Sequence, residues 1–322
     1  MREGEAMADR YSEDELIARI FAPIAGPAGL GLKDDAALLA ASAEPLVVTT
    51  DMLVAGVHFF ADDPPDAVAR KALRVNLSDL AAKGAAPAGF LLSIALPGEW
   101  TNEWLSAFAA GLADDARTYA APLLGGDTAS TPGPLTISIT ALGRTPRFVP
   151  RTGARAGDGI YVSGTTGDAA LGLALRRDPA LAARLSPDAR DFLLDRYLLP
   201  RPRLDLAPLL REHASAAMDV SDGLAGDLAK LCRASGVSAL VDLPLIPLSD
   251  AAREAIELAP GLFESAITGG DDYEILFTAA PDFSPPEGVA RIGAITAGTA
   301  PPILRDAHKK PVIFGKLSFS HF

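Results

Sequence analysis

The sequence predicts an α/β fold, grading into α+β, in two domains that divide near residue 145. Three observations carry this. The chain has 322 residues, long for a single core. Apolar strand-like runs alternate with helical patterns in both halves. Between the halves lies TPRFVPRTGARAGD (145–158), whose Pro, Gly and Arg content reads as a boundary or long connection. The expected domains are therefore 1–145 and 146–322.

Each element follows from local pattern. PLVVTT (45–50) is β-branched and apolar and reads as a strand. AVARKALRVNLSDLAAKG (67–84) has helical periodicity and ends near Gly84, a residue suited to a helix C-terminus. GFLLSIALP (89–97) reads as a strand. TNEWLSAFAAGLADDARTYAA (101–121) reads as a helix with Thr101 as its cap. LTISITALG (135–143) alternates with period two, the mark of a half-buried strand. The second half restarts with the strand GIYVSG (159–164) and a helix from about Asp168. Two helical stretches span roughly 187–214. An apolar run, Ser215 to Met218, leads into VSDGLAGDLAKLC. The strand SALVDL (238–243), a helix near 249–258 and the strands YEILFTA (273–279) and VARIGAI (289–295) follow, before a Pro-rich tail.

Composition excludes several classes. Apolar residues make up 49 %, enough for sizeable cores, and net charge is −12 from 41 acidic and 29 basic residues. A nucleic-acid binder normally shows a basic stripe, so that class is disfavoured. A nucleotide substrate is not, because divalent cations can stand between carboxylates and phosphates. The single cysteine, Cys232, rules out an intrachain disulfide and a multi-cysteine zinc site, and it lies in an apolar helical pattern that suits packing. MREGEAMADR is polar and unlike a signal peptide, and no stretch has the uncharged apolar length of a membrane span. The expectation is a soluble cytoplasmic protein without membrane partners.

Acidic turns recur along the chain. GLKDDAALL holds Asp34 and Asp35. VVTTDMLVAGVHF holds Thr49, Thr50 and Asp51 at what reads as a strand's end, with His58 seven residues beyond Asp51. NLSDLAAKGA puts Asp79 on a helix. LLGGDTAST and ITGGDDYEILF each place two glycines before aspartate, and MDVSDGL holds Asp219, Ser221 and Asp222 where a helix begins. Each site alone has a plain reading as turn, solvated face or helix cap, since Ser and Asp satisfy the free N–H groups of a first turn. Together they fit magnesium, which takes hard oxygen ligands, usually one or two carboxylates with waters and phosphate oxygens. Carboxylates crowded together would need cations to hold them. There is no twelve-residue EF-hand loop, no GxxxxGK[ST] phosphate loop, no protein-kinase signature and no HExxH. His213, His308 and His321 sit in polar contexts and read as surface residues.

In order, DDAALL, TTDMLVAGVHF, KALRVNLSDLAAKGA, GGDT, RTGARAGD, MDVSDGL and GGDDYE resemble the blocks of the thiamine-monophosphate kinases. That family belongs to the superfamily named after aminoimidazole ribonucleotide synthetase, with the PurM-like fold. The resemblance runs from about Glu15 to Phe322. It implies an N-terminal domain that binds ATP and Mg²⁺ and dimerises through its sheet, and a C-terminal α/β domain. It also implies transfer of the γ-phosphate of ATP to thiamine monophosphate, with several Mg²⁺ ions, no phosphoenzyme and a homodimer.

Carried over by position, the implied metal ligands are Asp34, Thr49, Thr50, Asp51, Asp79, Asp127, Asp219 and Asp222. Nucleotide contacts are Gly126, Asp127, Arg151 and Ser221, with Tyr119 nearby. Substrate contacts are His58, Asp271 and Phe319. Asp219, Asp51 and Arg151 are the residues expected to act on the transferring phosphate. Three positions depart from the family's pattern. Lys33 stands where Gly is usual, which could disturb the turn or add a cation beside the metals. Asp271 stands for a frequent Glu, and Phe319 for a Tyr found in some members. The competing readings are a catalytically silent metal–nucleotide binding protein and another ATP-dependent reaction of the superfamily. The chain lacks an N-terminal reactive Cys, which would favour selenophosphate synthesis, and ends LSFSHF without the Cys that a hydrogenase maturation factor would need.

Overall fold

The structure is a computed structural model that describes residues 10–316, 318 and 319. The expectations for the first nine residues and for His321 lie outside the described residues. The chain divides into two compact units, Met1–Leu80 with Ala86–Pro146, and Ala81–Ala85 with Arg147–Phe322.

The first unit is built on a four-stranded sheet. Its strands are β1 (Leu46–Val54), β2 (Ala86–Pro97), β3 (Leu123–Thr131) and β4 (Thr136–Arg144), in the order β1-β4-β2-β3. β4 is antiparallel to β1 and β2, and β3 is parallel to β2. Helices α1 (Pro65–Ala82) and α2 (Asn102–Thr118) complete it. Thr101 caps α2 by accepting the Trp104 N–H, as expected.

Side chains alternate across a strand, so one face is apolar and buried. Phe90, Leu92 and Ile94 of β2 and Ile137, Ile139 and Ala141 of β4 are all at most 4 % exposed. The helices bury matching stripes, Leu73, Leu77 and Leu80 of α1 and Leu105, Phe108 and Leu112 of α2. The other face carries exposed Val48, Met52 and Leu91.

Two expectations needed correction. β1 runs on to Val54, so Thr49, Thr50 and Asp51 lie within the strand and not at its end. LLGGDTAST forms a strand, β3, although two glycines are poor strand formers; the register with β2, Gly126 opposite Leu92 and Asp127 opposite Ser93, overrides propensity.

The second unit has seven strands, β5 (Gly159–Ser163), β6 (Ala214–Asp219), β7 (Ser238–Asp242), β8 (Ile275–Ala279), β9 (Val289–Thr296), β10 (Ile303–Arg305) and β11 (Pro311–Val312). Their order is β11-β10-β7-β9-β5-β8-β6, which puts β6 at an edge. Its main helices are α3 (Asp168–Arg177), α4 (Pro187–Leu198), α5 (Ala207–His213), α6 (Leu224–Ser235), α7 (Asp250–Leu258) and α8 (Leu262–Thr268). α8, β10 and β11 have no counterpart in the sequence reading; each is short, with too little periodicity to register. α6 buries Leu224, Leu228, Leu231 and Cys232 against Met218, Val220 and Ile267. Burial pushes the Cys232 thiol up to about 11, the state of an inert packing residue.

α1 and α2 are locked by charge. The Asp115 carboxylate, fully buried, accepts from Arg74 Nε at 2.6 Å and Nη2 at 2.9 Å and from Arg70 Nη1 at 3.0 Å. Removing it takes away the two-oxygen partner of Arg74, while Arg70 keeps Asp114 at 2.8 Å. Asp115→Ala is expected to destabilise the protein by about 3 kcal/mol, read as a lower urea midpoint with an unchanged slope.

Candidate functional site

In the first unit, strand alternation sorts the expected ligands onto two faces. Thr49 and Asp51 share the helix-facing side of β1 with buried Val47 and Leu53. There Thr49 Oγ1 donates to Asp79 Oδ2 of α1 at 2.5 Å. One turn earlier on α1, Asn76 Oδ1 accepts the Asp51 backbone N–H at 3.0 Å. Asn76 is fully buried, and its Nδ2 donates back to the Ala72 carbonyl, so its orientation is fixed.

Thr50 lies on the open face. Its hydroxyl donates to the Ile139 carbonyl and accepts from Thr140 Oγ1, each at 3.1 Å. Asp127 is in the row Met52–Ser138–Ser93–Asp127, so it too faces the open side. There a cavity of about 750 Å³ is lined by Asp34, Asp35, Thr140, Ser93, Gly126 and Asp127 among others. The structure therefore gathers Asp34, Gly126 and Asp127 around one cavity with Thr50 at its margin, and Thr49, Asp51 and Asp79 on the reverse face. A Cβ on Gly126 would lie 1.8 Å from the Leu92 carbonyl oxygen, so only glycine fits beside that strand.

Lys33 adopts φ −110°, an ordinary conformation that needs no glycine. The left-handed conformations before Asp34 fall on Leu30, Gly31 and Leu32. The first sequence concern about Lys33 thus has an answer: its own backbone is not where the turn is strained. His58 lies in the loop after β1, and its Nδ1 accepts the Val54 N–H at 3.0 Å. Tyr119 ends α2 with the Arg74 guanidinium 5.7 Å above its ring, and it does not line the acidic cavity.

In the second unit, backbone hydrogen bonds assemble distant segments around one turn. Asp219, 6 % exposed, is the last residue of β6. The Ser221 carbonyl accepts the Asp271 N–H at 2.8 Å, and the Val220 carbonyl accepts the Tyr273 N–H at 2.9 Å. The Asp222 carbonyl accepts the Phe319 N–H at 3.0 Å. Ser221, Asp222, Asp271 and Phe319 are thereby neighbours. Gly270, φ +79°, makes this possible: a Cβ there would lie 2.2 Å from the Ser221 carbonyl oxygen. Arg151 is exposed beside β6, where the Pro150 carbonyl accepts the Ala217 N–H and the Arg151 carbonyl accepts from Ser235 Oγ.

The plain cap reading of Ser221 and Asp222 fails. The N-cap of α6 is Gly223, and Asp227 from inside the helix takes the turn's amides instead. Asp227 Oδ2 accepts the Ser221 and Asp222 N–H groups at 3.0 and 2.9 Å. Lys230 then pairs with both Asp227 and Asp222. Neither residue was singled out from sequence, where both read as ordinary helix positions.

GGDDYE does more than present Asp271. Asp272 Oδ2 and Oδ1 accept the Gly167 and Ala169 N–H groups at 2.7 and 3.3 Å, capping α3 from another segment. Glu274 is held by Arg196, Arg203 and the Ser163 hydroxyl. Among the described residues, no three Asp, Glu, His or Cys side chains converge as a ready-made metal cage.

The chain matches the model for AIR synthase related protein, N-terminal domain, over residues 33–145 and that for the C-terminal domain over 155–283. It is 42 % identical to the thiamine-monophosphate kinase of Caulobacter vibrioides, covering 89 % of this chain and 81 % of that one. It is 43 % identical to that of Escherichia coli K12, covering 83 % and 82 %. Among solved structures, the Stenotrophomonas maltophilia thiamine-monophosphate kinase is 40 % identical with TM-score 0.78, covering 87 % and 91 %. AaThiL complexed with AMPPCP and TMP is 31 % identical with TM-score 0.79, covering 96 % and 94 %. Hydrogenase maturation protein HypE, 20 % identical with TM-score 0.76, shares the fold.

Burial pushes the Asp272 carboxyl well above the usual carboxylate range, against the lowering effect of its two N–H donors. The native state then keeps a proton that the unfolded chain releases above about pH 4. That stability is full below the unfolded pKa and is lost as pH rises through the folded one. Asp272→Asn is expected to flatten the decline in melting temperature as pH rises above about 4, measured by thermal unfolding across a pH series.

Proposed function

From the premise that the chain belongs to the thiamine-monophosphate kinase family of AIR synthase related proteins, we propose how its residues perform that activity. The observation that carries the reading is identity above 40 % over more than four fifths of the chain to two such kinases. The reaction moves the γ-phosphate of ATP onto the phosphate of thiamine monophosphate, giving thiamine diphosphate and ADP. The AMPPCP and TMP held by AaThiL are a nucleotide and a monophosphate of this kind.

The residues suit Mg²⁺. The donors are hard oxygens, the kind of ligand Mg²⁺ takes beside water and phosphate oxygens. Separate ions would be held by Asp34, Thr50 and Asp127 on one face of the first sheet, by Thr49, Asp51 and Asp79 on the other, and by Asp219 and Asp222 in the second unit. Bound there, the ions neutralise phosphate charge and align the oxygens for displacement.

The protein's own work is positioning. The acceptor is a phosphate oxygen, largely deprotonated at neutral pH, so no strong general base is required. Ser221 hydrogen-bonds a nucleotide phosphate, and the amide end of α6 adds positive potential. Gly126, which lines the cavity beside Asp127, offers its backbone to the nucleotide. Arg151 offers a fork that binds two phosphate oxygens. His58 and Asp271 orient the thiamine moiety, and Phe319, 47 % exposed, offers a ring face for stacking. Exposed Val48 and Met52 form an apolar strip of β1 on the open sheet face, which supports a homodimer through that strip. ATP as co-substrate and a lone buried thiol accord with a cytoplasmic setting.

ADP release from Mg-ATP with thiamine monophosphate, followed with chromatography for the diphosphate, tests the reading. Stoichiometric products with the monophosphate alone are expected; nucleotide binding without turnover would favour a silent binder. Asp219→Asn keeps size and removes charge, and is expected to lower kcat by about 100-fold or more with the fold intact. Met52→Glu is expected to shift the protein from dimer to monomer in sedimentation; an unchanged dimer would move the interface elsewhere.

A further inference from the structure

Lys230 has no part in the chemistry above, yet it touches a proposed metal ligand. It projects from α6, one turn beyond Asp227. Its Nζ donates to Asp227 Oδ1 at 2.8 Å and pairs with Asp222 Oδ2.

The two carboxylates are not equivalent partners. Asp227 is fully buried, and both its oxygens are occupied, Oδ2 by two backbone amides and Oδ1 by the ammonium group. Its grip on the turn runs through the amides, with Lys230 as the counter-ion of the buried carboxylate. The Asp222 side chain is 37 % exposed and faces solvent as well as Lys230, whose own side chain is 28 % exposed. One ammonium thus serves two carboxylates, one permanently seated and one able to exchange. The four-carbon stem of lysine lets Nζ leave Asp222 while keeping Asp227.

We propose that Lys230 is a tethered counter-ion for Asp222, holding that carboxylate until a divalent cation takes it. The inference rests on the reading of Asp222 as a metal ligand. Cation and ammonium compete for one oxygen, so Lys230 weakens cation binding in the absence of nucleotide. It also keeps the Asp222 carboxylate from repelling the neighbouring Asp227. Lys230 is a positioning residue, acting through Asp222.

The test is the sign of a metal affinity. Mn²⁺ is titrated into the full-length protein without nucleotide, and free ion is read by electron paramagnetic resonance. Lys230→Met is expected to bind Mn²⁺ about three- to tenfold more tightly at the site affected, the size of a partly exposed ion pair. Lys230→Arg is expected to stay near wild type. In an Asp222→Asn background the Lys230→Met effect is expected to vanish. A purely structural role for Lys230 predicts the reverse, a looser turn and weaker Mn²⁺ binding, and that result would overturn the proposal. Lys230→Gln, smaller in its disturbance of the helix face, repeats the measurement should the methionine variant unfold. If Asp222→Asn alone weakens Mn²⁺ but neither Lys230 variant tightens it, the counter-ion role is wrong and the ligand role stands. If Asp222→Asn leaves Mn²⁺ binding unchanged, the ligand role itself is wrong and the proposal falls with it.

Discussion

The second unit depends on the buried carboxylate of Glu274. It is 1 % exposed and is met by Arg196 Nη2 at 2.9 Å, Arg203 Nε at 2.6 Å and Ser163 Oγ at 2.6 Å. A buried charge is tolerable only with such a full set of partners. The set draws α4, the segment after it and β5 to the foot of β8. Two residues earlier, Asp272 caps α3; one residue before that, Asp271 hydrogen-bonds the Ser221 carbonyl. Six residues, GGDDYE, therefore tie α3, α4, β5 and the Val220–Asp222 turn to one point. The positive φ of Gly270, Asp271 and Tyr273 is the backbone's response to serving so many partners in so short a length.

In the first unit the organising constraint is the period of a strand. Three adjacent residues, Thr49, Thr50 and Asp51, cannot present their side chains to one place, because the middle one faces the opposite side. Asn76 and Asp79 on α1 meet β1 from the helix side, while Asp34 and Asp127 meet the cavity on the open side. The sheet is thus wet and acidic at points on both faces and apolar between them.

Much of this was legible in the sequence. Helices α1 and α2 and strands β2, β4 and β5 follow from periodicity and capping residues, and the glycines of both GGD segments announced close backbone approach. The gathering of Ser221, Asp222 and Asp271 was legible only through motif order, since their contacts span half a hundred residues. What was hidden has physical causes. A glycine-containing parallel strand such as β3 is made by its neighbour's register. The separation of Thr50 from Thr49 needs the strand to be known to continue past Asp51. Asp227 and Lys230 look like solvent-facing helix residues until Asp227 is seen to be completely buried.

The way Asp227 holds its turn bears on chain length more than on composition. Its carboxylate reaches the Ser221 and Asp222 amides only because it sits four residues after Gly223, on the side of α6 that faces back toward the turn. Each residue added or removed between Gly223 and Asp227 would rotate that carboxylate by about 100° around the helix axis. The spacing is therefore counted in whole helical turns. The exposed stretch at 297–301 carries no such angular relation. Length variation can accumulate there while the Gly223–Asp227 interval stays fixed, so the helix acts as a ruler as well as a source of potential.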